Sequence, residues 1–394
     1  MSQTRRAERG SRMIELRGIT WNHTRGYLPM VATAQRFSEL HPNVSIHWEK
    51  RSLQQFADYP LERLVEKYDL LVIDHPFVGY AACHDVLLPL DEYLPAEFLA
   101  DQARNSVGLS HESYSYAGHQ WALAIDAATP ICGYRPDLLE KNKLNLPRNW
   151  EELVELAARG LVVVSGIGID SLCHFYMLCG ALGYEPFSRA GTVVSEAVGV
   201  QALQLVRKLI DIAVPGSSER NPIAVWELLT SDNTAAVCPF AYGYSNYGRR
   251  SYCKYPLRFT RLIEFNGRRC RSTLGGAGLA ISVHCKAREP AADYCLFTAS
   301  EASQSGIYFT SGGQPGYRKA WLDDSINAES NNFFEDTLCT LDDAWRRPRW
   351  NAYLSFQDGA SDVMSQYIRH TIDEQTALAR MNKLLATVRE GAAR

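Results

Sequence analysis

Nowhere in the 394 residues does an apolar run approach the roughly 18 uncharged residues a membrane-spanning helix needs, so the chain is read as not membrane-spanning. Strong charge of one sign is missing as well. With 41 basic and 44 acidic residues the formal net charge is −3, which builds no field to gather nucleic acid or anionic lipid. Three short basic pairs (Arg249-Arg250, Arg268-Arg269 and Arg346-Arg347) read as solvated faces. The 10 cysteines show no Cys-x-x-Cys spacing. Most have apolar or aromatic neighbours, as in Cys132-Gly133-Tyr134, the setting of reduced thiols used as small hydrophobes rather than of a disulfide framework. Internal repeats and low-complexity tracts are absent. So is an apolar h-region: Met1 to Met13 is basic and polar and is expected to be a disordered extension. The chain is therefore expected to be cytoplasmic as written, or to have a misassigned start site.

What is present is an ordinary globular composition, 46% hydrophobic and 22% charged, in a chain too long for one hydrophobic core. Two lobes follow. Ile14 to Thr20 reads as a buried strand, Trp21 to Gly26 as a loop, and Leu28 to Glu39 as an amphipathic helix. Val44 to Trp48 alternates as a strand, a helix is expected over 53–67, and Tyr68 to Asp74 is the continuous apolar run of a parallel strand buried on both faces. Strands alternating with helices give an α/β class with doubly wound, parallel sheets flanked by helices. The composition shifts after Ile125, where the chain is expected to cross between lobes. Residues 14–125 with 272–325 form the first lobe, and 126–271 with 326–394 the second.

In open α/β sheets ligands lie beyond the carboxyl ends of the strands. Trp21, Asn22, His23 and Arg25 follow the first strand, Asp74 and His75 the third, and Asp126 stands at the crossing. Aromatic rings near strand ends are candidates for stacking on a sugar face or a cation: Trp21, Tyr134, Phe240, Tyr242, Tyr244 and Trp345. Core packing is the competing reading for each of them. A carboxylate at Asp74 or Asp126 accepts ligand hydroxyls or pairs with a cation, unless Asp74 only caps the helix that follows. Asp170 and His174, four apart on a helix, face one side. No spacing marks a third ligand, so neither a metal nor a cofactor is expected. Gly312 and Gly313, followed by Gln314, offer backbone N–H groups or form a plain turn.

The stretch from Tyr114 to Ala158 resembles the central region of the extracellular solute-binding proteins of family 1, the maltose-binding-like receptors of ABC importers. It holds a Gly-turn hairpin, a strand, a tyrosine-containing strand, a Pro turn and Trp150-Glu151-Glu152-Leu153. Asp69 to Leu94, Leu274 to Ser303 and Gly312-Gly313-Gln314-Pro315 resemble further regions of that family in the same order. The resemblance implies a two-lobed, type II-like periplasmic-binding-protein fold. It also implies a monomer that captures a small polar, carbohydrate-like ligand between its lobes, an ABC permease as partner, and no catalysis. This chain departs from the family by ending its strand in Ile125-Asp126, which suggests a ligand with a donor or a positive charge, and by lacking an export signal. Two other classes stay open: a cysteine-dependent, thiaminase-like enzyme on the same fold with Cys238 as nucleophile, and a cytoplasmic ligand sensor.

Overall fold

The structure is a computed structural model that describes residues 13–53, 61–189 and 191–392. Almost all of the N-terminal extension, and residues 54–60 of the helix expected over 53–67, lie outside the described residues. Strand β1 (Ile14–Trp21) leads through helix α1 (Thr24–Leu40) to β2 (Val44–Arg51), and β3 (Leu70–Ile73) follows. Strand β4 (Leu123–Ala128) ends at the crossing and β5 (Pro130–Tyr134) begins beyond it. Helices α2 (Gly168–Ala181) and α3 (Glu196–Ile212) precede β6 (Val237–Tyr242) and β7 (Arg258–Thr260). The chain returns along β8 (Gly275–Ile281) into α4 (Arg288–Ala299), and closes with α5 (Tyr353–Ile368) and α6 (Glu374–Ala392).

The expected loop at 21–26 is shorter than its sequence suggests. His23 takes an extended backbone and its Nδ1 accepts a hydrogen bond from the Arg25 amide at 3.0 Å, capping α1. The helix therefore starts at Thr24, and Arg25 sits in its first turn rather than in a loop. Met30, Thr33, Ala34 and Phe37 recur at helical spacing and are buried against the first sheet.

That sheet has the order β2-β1-β3-β8-β4. β1 pairs parallel with β2 and β3, but β8 is antiparallel to both β3 and β4, so the sheet is mixed rather than all parallel. The cause is the direction of return. β1, β3 and β4 run toward the second lobe, whereas β8 comes back from it. Alternate residues of β3 serve opposite faces: Leu70 and Val72 join the core under α1 and α4, while Leu71 and Ile73 pack with Phe77 and Val78 on the other side. Burying each such side chain contributes about 1.5–3 kcal/mol.

The second sheet is small and antiparallel, in the order β6-β5-β7. Its principal core lies among α2, α3, α5 and α6, where Leu172, Leu203, Met364 and Leu385 are all fully buried. The two crossing strands are tied together: Thr129 Oγ1 donates to the Thr273 carbonyl at 2.9 Å and Ser272 Oγ to that of Pro130 at 2.6 Å. Gly276 has φ +100°, and a Cβ there would stand 2.4 Å from the Asp126 carbonyl oxygen, so only glycine lets β8 pass β4 this closely. Trp321, in the 272–325 segment, packs its ring 5.0 Å from that of Phe334, sharing a core with the segment that follows it.

Candidate functional site

The carboxyl ends of β1, β3 and β4 and the amino end of β8 meet at one edge of the first sheet, and α2, β6 and α5 face them across a cavity of about 860 Å³. Seven of the residues expected at a site line it: Trp21, Arg25, Asp74, Asp126, Asp170, Tyr242 and Tyr244. A strand end projects its last side chain into such a gap because no further pairing occupies it.

Two buried ion pairs stand in the wall. Arg25 Nε donates to Asp126 Oδ2 at 2.8 Å, its Nη2 donates to Oδ1, and its Nη1 reaches the Gly243 carbonyl at 2.7 Å. The guanidinium also lies 4.5 Å from the Tyr244 ring centroid. Burial pulls the Arg25 pKa down, but the Asp126 carboxylate more than offsets it, so the group stays charged. Asp126 is thereby satisfied internally, and its charge is not left for a ligand.

The second pair joins the end of β3 to the segment before α5. Arg347 Nη2 donates to Asp74 Oδ2 at 2.5 Å and Nη1 to Gln357 Oε1 at 2.9 Å. Asp74 also accepts from the His75 amide at 2.8 Å. Burial opposes ionisation of Asp74, yet the Arg347 guanidinium holds its carboxyl well below the usual carboxylate range. Asp74 is thus neither a free acceptor nor merely a helix cap.

Asp170 is different. It lies in the first turn of α2, only 5% exposed, and neither of its oxygens accepts a hydrogen bond among the described residues. Burial alone pushes its pKa well above the carboxylate value. On the same side, Tyr242 at the end of β6 has its hydroxyl 3.3 Å from Thr273 Oγ1 and 3.8 Å from Cys173 Sγ. The Trp226 indole N–H donates to the Tyr242 carbonyl at 2.8 Å and steadies this end of β6.

Several expected residues lie elsewhere. Asn22 is exposed and outside the cavity lining. His23 is taken up as the α1 cap and packs 4.6 Å from the Tyr244 ring, and burial with Arg25 nearby pushes its pKa down to about 3. His75 is fully buried behind Asp74, where its pKa falls to about 4 through burial. Tyr134 stands at the far end of β5, paired with Val237 and Arg258. Phe240 is 1% exposed and packs 5.6 Å from His174 within the second core, and Trp345 packs 5.5 Å from Tyr176. For these rings the core reading prevails. Gly312 opens on a separate recess with Thr24, Arg249 and Tyr252. Gly313 packs against Tyr308, and Gln314 is fully buried as a tie, accepting from the Ser245 amide at 2.9 Å and donating to the Ala127 carbonyl at 2.7 Å. Among the described residues no three His, Cys, Asp or Glu side chains gather to hold a metal ion.

Sequence reasoning passed over part of the wall. By sequence Arg347 reads as a solvated face, but its side chain is 4% exposed, and Arg249 is likewise buried at 9%. Each is drawn in by acceptors that its sequence neighbours do not reveal. Cys173, Glu219 and Asn221 also line the cavity. So do Asp358, Ser361, Asp362 and Ser365 of α5, with Arg369 just beyond. Their spacing is a legible signal: one polar stripe of a helix whose Phe356, Ala360, Val363 and Met364 are buried.

The family model for the bacterial extracellular solute-binding protein matches residues 20–241. The chain belongs to that family. Its members are binding proteins, not enzymes, and the two-lobed α/β fold described above is theirs. Solved structures agree over nearly the whole length. The maltose-bound MalE3 of T. maritima shares 19% identity at a TM-score of 0.80, covering 95% of this chain and 99% of its own. An ABC transporter solute-binding protein from Agrobacterium radiobacter in complex with ribitol shares 17% at 0.81, covering 95% and 98%. Another from Agrobacterium vitis with bound D-mannitol shares 15% at 0.78, covering 96% and 99%. No helix among the described residues is long and apolar enough to cross a membrane.

Proposed function

We propose that the cavity between the lobes captures a sugar- or polyol-like solute for an ABC importer, and that the protein binds this solute without turning it over. The observation that carries the reading is the convergence of Trp21, Tyr242, Tyr244 and Asp170 on one cavity of about 860 Å³ at the strand ends. Such a volume falls within the ~300–1,000 Å³ range of small-molecule sites, and mostly apolar walls with a few placed polar groups give orientation. Rings stack on the C–H faces of a sugar. The first amides of α2 have no intrahelical acceptor and line the cavity at Gly168 and Ile169, ready to donate to hydroxyl oxygens. Relatives of the same fold have been solved with maltose, ribitol and D-mannitol bound, which supports the solute class. A single ABC permease as the onward partner, and a monomeric receptor, follow from the same family role.

Burial argues against a catalytic thiol. Cys238 is fully buried and held well above its ordinary pKa by desolvation, and Cys173 on the cavity wall is also raised. A nucleophile needs the thiolate and a base beside it. The test is a thermal-shift and calorimetric screen with maltose, ribitol and D-mannitol. A solute at a hundredfold excess over its Kd stabilises the fold by about 2.7 kcal/mol. Recovery of the solute unchanged after incubation with wild type and with Cys238→Ser is expected; its consumption by wild type alone would return the thiol enzyme to first place.

A further inference from the structure

The cavity is acidic, and the imbalance is not made good by the protein. Of its wall charges, Asp126 is matched by Arg25 and Asp74 by Arg347. That leaves Asp170, Glu219 and Asp362 against one guanidinium, Arg369. Asp170 is the decisive member of this set. It is 5% exposed, its Oδ2 is fully buried with no partner, and no other hydrogen bond reaches it among the described residues. The titratable groups that sense its charge are Cys173 on its own helix and Cys238 and Tyr244 from β6 and the segment after it, and His174 stands four residues along α2. None is a cation at neutral pH: the thiols and the phenol are pushed up by burial, and His174 is pushed down to about 4. A buried carboxylate without a counter-charge is costly: alone it holds a proton, and a cation from outside restores the ionised form.

We propose that the solute is a polyhydroxylated molecule bearing a primary ammonium group, and that Asp170 holds this ammonium. The inference rests on the reading of the cavity as the solute site and narrows its ligand. An anionic solute is disfavoured by the carboxylate excess, and a neutral sugar brings no charge that would hold Asp170 ionised. A primary ammonium carries three donors on a compact charge, enough to satisfy both oxygens of one carboxylate. The amides at the start of α2 then take hydroxyl oxygens of the same solute, and the partial positive charge of that helix end favours the ionised carboxylate. The rings of Trp21 and Tyr242, from opposite sides of the same cavity, offer π faces to a cation.

The experiment is isothermal titration of the full chain with matched pairs that differ only in the amine: glucosamine against glucose, and glucamine against sorbitol. The amine member of at least one pair is expected to bind about 10-fold to 100-fold more tightly, as hydrogen bonds to a charged group are worth. Asp170→Asn is expected to abolish that preference. Its melting temperature, measured without solute, is expected to match or exceed that of wild type, since a carboxyl whose ionisation burial opposes is removed. Equal affinity for amine and neutral members in wild type, or a preference that survives Asp170→Asn, would overturn the ammonium proposal while leaving the cavity as a sugar site. Absence of binding by every member would overturn both readings together.

Discussion

Replacing Arg347 by leucine removes one half of an ion pair that joins the first sheet to the approach to α5. The guanidinium side chain is 4% exposed and that of Asp74 21%, so the pair is screened far less than a surface bridge. Breaking a buried pair from one side costs about 3–5 kcal/mol, because the remaining charge is left without its partner. Asp74 would keep the His75 amide at 2.8 Å and is partly open, which puts Arg347→Leu at the lower end, about 3 kcal/mol. Asp74→Asn strands the more deeply buried partner, with Gln357 as its remaining side-chain acceptor, and is expected to cost about 4 kcal/mol. The double variant should cost less than the sum, with a coupling of about 1–3 kcal/mol. Urea unfolding followed by circular dichroism at pH 7 and pH 3 reads these values. The sign with pH is fixed by the depressed Asp74: its contribution is present above the ordinary carboxylate pKa of about 4 and is lost as pH falls toward the folded value. The gap between wild type and Arg347→Leu should therefore narrow at pH 3. Single variants within about 0.5 kcal/mol of wild type, or strictly additive costs, would refute the buried-pair argument.

Asp170 has the opposite linkage. Its raised pKa makes the ionised form a burden that grows as pH rises from about 4 toward the folded value, so Asp170→Asn should gain stability relative to wild type at pH 7 and little at pH 3.5, as read by melting temperature. Tyr242→Ala should weaken solute binding by about 10-fold to 100-fold, through loss of a wall ring, in the same calorimetric assay. Gly276→Ala should destabilise the fold by about 1–3 kcal/mol, because its φ of +100° and the Asp126 carbonyl 2.4 Å from a new Cβ both oppose a side chain. With a thiol reagent, exposed Cys83 and Cys339 should react first and Cys173 slowly through the cavity, and saturating solute should protect Cys173 alone.

The first sheet was legible because its strands are apolar runs and its helix is amphipathic, both local properties of residues 14–73. The antiparallel return of β8 was not. Direction within a sheet is decided by where the chain re-enters, and Gly275–Ile281 reads the same either way. At the site, Trp21, Asp74, Asp126 and Tyr242 could be placed from strand ends alone. The partners that change their chemistry could not. Arg347 lies 273 residues from Asp74 and Arg25 lies 101 from Asp126, so the same letters read as a solvated pair and a loop residue. By sequence Asp126 is a carboxylate offered to a ligand, whereas in the structure Arg25 stands against it. The unpaired carboxylate is Asp170, whose isolation is visible only once its neighbours are in place. The rings of Phe240 and Trp345 show the same limit in reverse, since an aromatic near a strand end looks alike whether it faces a cavity or a core.

The most direct test of the account is a crystal structure of the protein with the solute that raises its melting temperature most. The account predicts the solute between the two sheets, stacked on Trp21 or Tyr242, with a donor within about 3 Å of an Asp170 oxygen and the Arg25–Asp126 and Asp74–Arg347 pairs intact. A solute bound outside this cavity, or inside it with Asp170 untouched and either ion pair opened to receive it, would contradict the account.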